Sequence, residues 1–364
     1  MPKPICPLLL ALAAAISLPA HGQAPREGSA RALLDSVAAS GAFNGVILLA
    51  HGQRVVDQRA AGMARVDPRA PMTSATRFEL GSVSKWVTSL LVLKLADQGA
   101  LSLDVPVRTY LPEYAGEGGR VTLHHLLTHT SGIPNDVVAA LRRDSTVARQ
   151  SLPSAEAIRR YAAGALLFEP GARFDYSHSN WIVVAAVIER VTGRSVAANL
   201  RALLTGPLGL RDTGTFTGDF AGVPGSAWGY SGLRPAPGRR ASPMPDFLVS
   251  AGGIHSTGPD LLRLMDAVYG GRVLSAASLR RLDQVYVPGE DYAYGSRVRQ
   301  VMLGGRARSV AWHSGSNGAA KTLAVRVLDD DGWTVILLTN VNTDPAVLSG
   351  IATRALEAVY TRPR

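Results

Sequence analysis

The sequence predicts an α/β fold of the α+β type: one antiparallel sheet flanked by terminal helices, with an all-helical inserted domain. Three observations carry this. Strand patterns lie at the two ends of the 364-residue chain, Phe43 to Ala61 and Tyr294 to Leu338, and helical patterns fill the middle. At 46% hydrophobic content the chain can bury a large core. No internal repeat or low-complexity segment interrupts it. The expected boundaries are a leader at 1–23, a sheet domain at 24–81 plus 250–364, and a helical insertion domain at 82–249.

The leader has Lys3, an apolar run from Leu8 to Leu18 too brief to span a bilayer, and small residues at Ala20-His21-Gly22. That is the pattern of a cleaved signal peptide, which implies a periplasmic or secreted protein with no stable membrane span after cleavage. Cys6, the single cysteine, would leave with it, so disulfides are not expected. The formal charge is +10, but the arginine pairs form no continuous tract and no nucleic-acid motif accompanies them. Contact with acidic envelope polymers fits the charge better than nucleic acid.

Arg26 to Ser40 reads as a helix, and Phe43 to Ala50 with Gln53 to Ala61 as a hairpin turning at His51-Gly52. A helix from Ser82 runs through Leu90, Leu91, Leu93 and Leu95 to a stop at Gly99, and it is apolar nearly all round, so it should be buried. Thr122 caps a short helix, Leu123 to Leu127. Ser154 to Ala163 and Ile182 to Val191 read as helices, and Gly206 to Pro245 as a long irregular wall. Ser256 or Thr257 caps a helix with Pro259 in its first turn, and Ser275 to Leu282 is another. Strands Tyr294 to Met302, Arg308 to Trp312, Lys321 to Leu328 and Trp333 to Leu338 follow, with Asp329 to Gly332 as a hairpin turn. Ala346 to Tyr360 closes the chain as a helix.

The chemistry centres on Gly81-Ser82-Val83-Ser84-Lys85. In a helix, residues three apart share a face with Cβ atoms roughly 5–6 Å apart, so Ser82 and Lys85 can meet. Lysines are rare here, only Lys3, Lys85, Lys94 and Lys321, and a lysine, unlike arginine, can act as a base. Taken alone, the pair also fits an N-cap and a solvated lysine. His124, His125 and His129 invite a metal reading, but no carboxylate accompanies them in a zinc motif, so structural histidines and no cofactor are expected. No Gly-x-Ser-x-Gly and no phosphate-cradling loop occurs.

Five segments in order, Phe78 to Lys85, Leu126 to Gly132, Tyr176-Ser177-His178, Ala251 to Thr257 and His313-Ser314-Gly315, give the chain its resemblance to a family. It resembles the serine β-lactamase and penicillin-binding protein superfamily, in the class C-like branch of β-lactamases, D-peptidases and esterases. The resemblance covers nearly the whole chain after the leader. It implies a β-lactamase/transpeptidase-like fold and an acyl-enzyme formed on Ser82. Lys85 would take the serine's proton or hold a second base, and Tyr176 would be that base. The resemblance further implies an oxyanion hole from the backbone of Ser82 and Ser316, with Ser314 on substrate. Two departures stand out: His178 replaces a usual asparagine, leaving Asn180 displaced by two, and His313 replaces the lysine of many β-lactamases. Arg297, Arg299 or Arg308 could restore that charge. An ester or D-amino-acid peptide substrate is expected, with class C-like β-lactam hydrolysis and a non-catalytic penicillin-binding or sensing module as alternatives.

Overall fold

Alternation of apolar side chains along the central strands sets the layers. In the computed structural model, which describes residues 24–114, 116–233, 236–329 and 332–361, strand β1 (Gly45–His51) turns Val46, Leu48 and Ala50 to one face and Ile47 and Leu49 to the other, all buried. A strand buried on both sides needs cover on both sides. The leader expected at 1–23 lies outside the described residues.

After β1 come β2 (Arg54–Ala61), β3 (Met63–Arg65), β4 (Ala70–Pro71), β5 (Phe78–Glu79), β6 (Gly214–Thr215) and β7 (Ile254–Ser256). Then follow β8 (Arg297–Leu303), β9 (Arg306–Asn317), β10 (Ala320–Val327) and β11 (Trp333–Thr339). The large sheet has the order β2-β1-β11-β10-β9-β8, antiparallel throughout, so the N-terminal hairpin joins the C-terminal strands as the sequence predicts. A small sheet, β5-β7-β6, stands beside it. It is absent from the sequence reading because strands of two or three residues are too short to show a period.

Helices α1 (Ala24–Ala39) and α12 (Pro345–Tyr360) cover the outer face, where Leu34, Ile351, Ala355 and Val359 pack on Ile47, Leu49, Val335 and Leu337. The inner face meets α2 (Val83–Asp97), whose side chains are buried almost all round. Gly99, with φ +72°, ends it, and the N–H of Ala100 bonds back to the carbonyl of Leu95. Behind α2 lie α3 (Leu123–Leu127), α4 (Asp136–Arg143), α5 (Ser154–Tyr161), α6 (Ser179–Thr192), α7 (Val196–Leu200), α8 (Gly206–Leu208) and α9 (Val249–Gly252). Helices α10 (Gly258–Tyr269) and α11 (Ala276–Asp283) return the chain to the sheet, with Thr257 capping α10 through the N–H of Asp260.

Three differences from the sequence reading matter for the site. Helix α6 starts at Ser179, three residues early, because Ser179, Asn180 and Trp181 are all buried and tertiary contacts outweigh their weak helix preference. Strand β9 runs on through His313-Ser314-Gly315-Ser316 to Asn317, where glycine and serine hide the strand pattern. Strand β6 lies inside the segment expected to be all helical. Asp330 and Asp331 of the expected hairpin turn lie outside the described residues. Among the described residues no helix is long and apolar enough to cross a membrane.

Candidate active site

Ser82 stands at the entrance of α2 and Lys85 one turn inside it. The Lys85 Nζ lies 3.2 Å from Ser82 Oγ and donates to the carbonyl of Ala251 at 2.8 Å. Lys85 is fully buried and has no carboxylate partner among the described residues. Burial pushes its pKa below 10.5, with the Tyr176 side chain pulling the other way. An amine in this place can keep one N–H on Ala251 and turn its lone pair to the serine.

Strand β9 crosses this entrance at very close range, and two glycines permit it. A Cβ on Gly315 would lie 1.9 Å from the Leu80 carbonyl oxygen, and one on Gly81 would lie 2.6 Å from the Ser316 nitrogen. Gly81 also has φ +51°, a conformation few side chains tolerate. The backbone nitrogens of Ser82 and Ser316 both lie at this crossing, 3.3 Å from a Cβ on Gly315 and 2.6 Å from a Cβ on Gly81 respectively. β8 pairs with β9 only as far as Arg297 opposite Trp312, so His313 to Asn317 have β10 on one side and an open edge on the other. Asn317 and Ala320 close a two-residue hairpin turn, which by the alternation of antiparallel pairs directs the N–H of Ser316 toward that open edge.

Side chains of β9 then divide by face. His313 points inward, where it is 6% exposed, donates from Nδ1 to its neighbour's carbonyl at Ser314 (2.7 Å), and leaves Nε2 buried without a partner among the described residues. Burial, with help from the nearby Lys85, lowers its pKa to about 3, so it is neutral where many β-lactamases have a permanent cation. Ser314 and Ser316 project to the outer face.

Tyr176 approaches from the loop ahead of α6, with Lys85 Nζ 5.1 Å from its ring centre. His129 stacks on that ring, 4.1 Å between centroids, at the positive φ of 58°. The His129 Nδ1 accepts the Ser177 N–H at 3.0 Å, which holds the loop in place. His178 sits beside Tyr176, ring centres 5.4 Å apart, with Nδ1 buried and without a partner among the described residues, and its pKa driven well below 6.5 by burial and then by Lys85. Its backbone N–H is taken by Asn135 Oδ1, and Asn135 Nδ2 donates to the Tyr176 carbonyl. Asn180 faces away, bonded to Ser131 and the Leu126 carbonyl. His178 is therefore next to the tyrosine but is not among the residues lining the cleft.

That cleft has a volume of about 830 Å³ and runs from Ser82, Tyr176 and His313 over the open edge of β9 to Lys321, Leu323, Asp344 and Leu348. Of the arginines expected to replace a cation, only Arg297 lines it. Arg299 pairs with Asp291, and Arg308 stacks on Tyr360. The three histidines that invited a metal reading have separate partners. His124 bonds Tyr294, His125 caps α3 through Thr122, and His129 stacks on Tyr176.

The beta-lactamase family model matches residues 30–360. The chain belongs to the beta-lactamase family. Among its relatives, esterase EstB of Burkholderia gladioli is 31% identical over 78% of this chain and 75% of its own. A penicillin-binding protein of Bacillus subtilis is 26% identical over 88% of this chain and 73% of its own. The solved D-amino acid amidase of Ochrobactrum anthropi SV3 shares the fold, with a TM-score of 0.76 at 21% identity over 92% of this chain and 98% of that one. Like the relatives whose chemistry its family implies, this beta-lactamase-family chain is a serine hydrolase. Four residues at this cleft have no catalytic or binding role in the sequence reading: His129, Asn135, Lys321 and Ala251, whose carbonyl holds Lys85. Only the scarcity of lysine could have drawn notice to Lys321, since contacts between segments far apart in the chain leave no local pattern.

Proposed function

We propose that the protein is an exported serine hydrolase that acts through an acyl-enzyme at Ser82 on ester or D-amino-acid peptide substrates. The observation that carries this is the buried Lys85 amine, with no carboxylate partner among the described residues, 3.2 Å from Ser82 Oγ. In this reading the Ser82 proton passes to Lys85 as Oγ attacks the substrate's acyl carbon, and the N–H groups of Ser82 and Ser316 take up the negative charge on its oxygen. One such donor is worth about 3–4 kcal/mol. Tyr176 carries the proton to the leaving group, the acyl–leaving-group bond breaks, and water then releases the acyl chain. The neutral His313 favours esters and amides over substrates that need a lysine at that place, and the relative named an esterase supports the ester arm. The leader pattern supports export, and the formal charge, +10 for the full sequence and +9 once Lys3 leaves with the leader, suits an anionic envelope polymer nearby.

Mass spectrometry tests this on protein recovered from the cell envelope or medium, after incubation with a fluorophosphonate and, separately, a penicillin. A fluorophosphonate adduct on Ser82, lost in Ser82→Ala, is expected, on a chain that begins near Ala24. No adduct from either reagent would sink the enzyme reading. A long-lived penicillin adduct without turnover points to a penicillin-binding role, and rapid penicillin turnover to a β-lactamase. Lys85→Arg keeps the charge but cannot release its proton, so labelling should slow by a factor on the order of 10²–10⁴. A near-normal rate would remove Lys85 from proton transfer.

A further inference from the structure

Lys321 is one of four lysines in the chain, and it stands on β10 opposite Ser316. Its Nζ donates to Ser316 Oγ at 2.7 Å and to the Gly318 carbonyl at 3.0 Å. Both acceptors are neutral, and no carboxylate pairs with it among the described residues. An ammonium has three N–H groups, so two hold it in position and one remains. It lines the same cleft as Ser82 and Tyr176.

Arg297, at the other end of that cleft, is differently placed. Its guanidinium pairs with Glu290 at 3.5 Å, donates to the Glu290 carbonyl, and lies over the rings of Tyr292 and Trp312. Arg297 thus has an ionic partner, whereas Lys321 has none among the described residues: Asp344, a carboxylate that lines the same end of the cleft, is bonded instead to the N–H of Ala346.

The two ends can be matched to the two parts of a substrate. Tyr176 is edge-on to Tyr292, over which Arg297 lies, so the group that protonates the leaving atom stands toward the Arg297 end. Lys321 lies beyond Ser316, past the oxyanion position. A substrate with its leaving group toward Tyr176 therefore extends its acyl chain along the open edge of β9 toward Lys321.

We propose that Lys321 binds a carboxylate on the acyl portion of the substrate, which makes the natural substrate an ester or amide of a dicarboxylic or otherwise anionic acyl group. This rests on the reading of Ser82 as the acylated residue. Ser316 serves twice, its backbone N–H on the oxyanion and its hydroxyl as the holder of Lys321.

The test compares p-nitrophenyl pentanoate with the mono-p-nitrophenyl ester of glutaric acid, which differ in a terminal carboxylate. Wild type is expected to favour the glutarate ester in kcat/KM by about tenfold, the size of one charge-assisted contact at a half-buried site. Lys321→Met should erase that ratio, Lys321→Arg should keep part of it, and Arg297→Met should keep it. A ratio near one in wild type, a ratio untouched by Lys321→Met, or a ratio lost instead in Arg297→Met overturns the proposal. The same ratio is read without turnover from the concentrations of butylboronic acid and 3-carboxypropylboronic acid that block fluorophosphonate labelling. Wild type that takes no label refutes the hydrolase reading itself, whereas label without a preference for the charged member refutes only the role of Lys321.

Discussion

Glu79 shows how a single buried residue can couple the site to pH. It lies three positions before Ser82, is 5% exposed, and accepts a hydrogen bond from Asn317, the residue after Ser316. Burial raises its pKa from 4.5 to about 8, only partly offset by Asn317, and the charge of Asp219 pushes the same way. A carboxyl with a raised pKa holds its proton in the folded state where the unfolded chain has lost it, so its share of stability is greatest below pH 4.5 and falls as pH climbs through about 8. Asp283, raised to about 7 by burial, adds a slope of the same sign. Glu79→Gln should therefore flatten part of the fall. At pH 9 it should be more stable than wild type by on the order of 2 kcal/mol, and at pH 5 nearly equal, as read by urea unfolding at both values. An equal effect at both pH values would mean that Glu79 is not protonated in the native protein.

At the scale of elements, the site depends on how closely β9 passes the start of α2. That approach requires no side chain at Gly81 or Gly315, and Gly315→Ala puts a methyl carbon 1.9 Å from the Leu80 carbonyl oxygen. The strand must move away, and the N–H of Ser316 moves with it. We expect kcat to fall by about 10²–10³, the cost of one misplaced oxyanion donor, together with a lowered Tm. A Gly315→Ala variant with unchanged kcat would show that Ser316 takes no part in the oxyanion site. This contact was partly legible. Gly81-Ser82 and His313-Ser314-Gly315 stand out in the sequence, but β9 was expected to end at Trp312, because serine and glycine carry none of the β-branched or aromatic bulk that marks a strand.

Across the whole molecule, sheet and helices share one core. Val46 and Leu48 of β1 and Ile336 and Leu338 of β11 belong to the same buried cluster as Leu91 of α2 and Val183 and Val184 of α6. We propose that the division into 24–81 plus 250–364 and 82–249 is one of architecture, with α2 packed between the parts and common to both. Thermal unfolding should then show a single transition, with far-ultraviolet and near-ultraviolet circular dichroism giving the same midpoint. Two separated midpoints would mean that the parts fold independently. The sequence by itself determined the layered α+β arrangement, the buried helix after Ser82 and the Ser82–Lys85 pair, because these depend on periodicity and on neighbours three or four residues apart. Only the tertiary structure decided that Lys85 is desolvated against Ala251, that His129 and Asn135 hold the Tyr176 loop, and that Lys321 lines the cleft with no carboxylate partner among the described residues. Each of those depends on burial or on contact between segments distant in the chain, and local sequence carries no record of either.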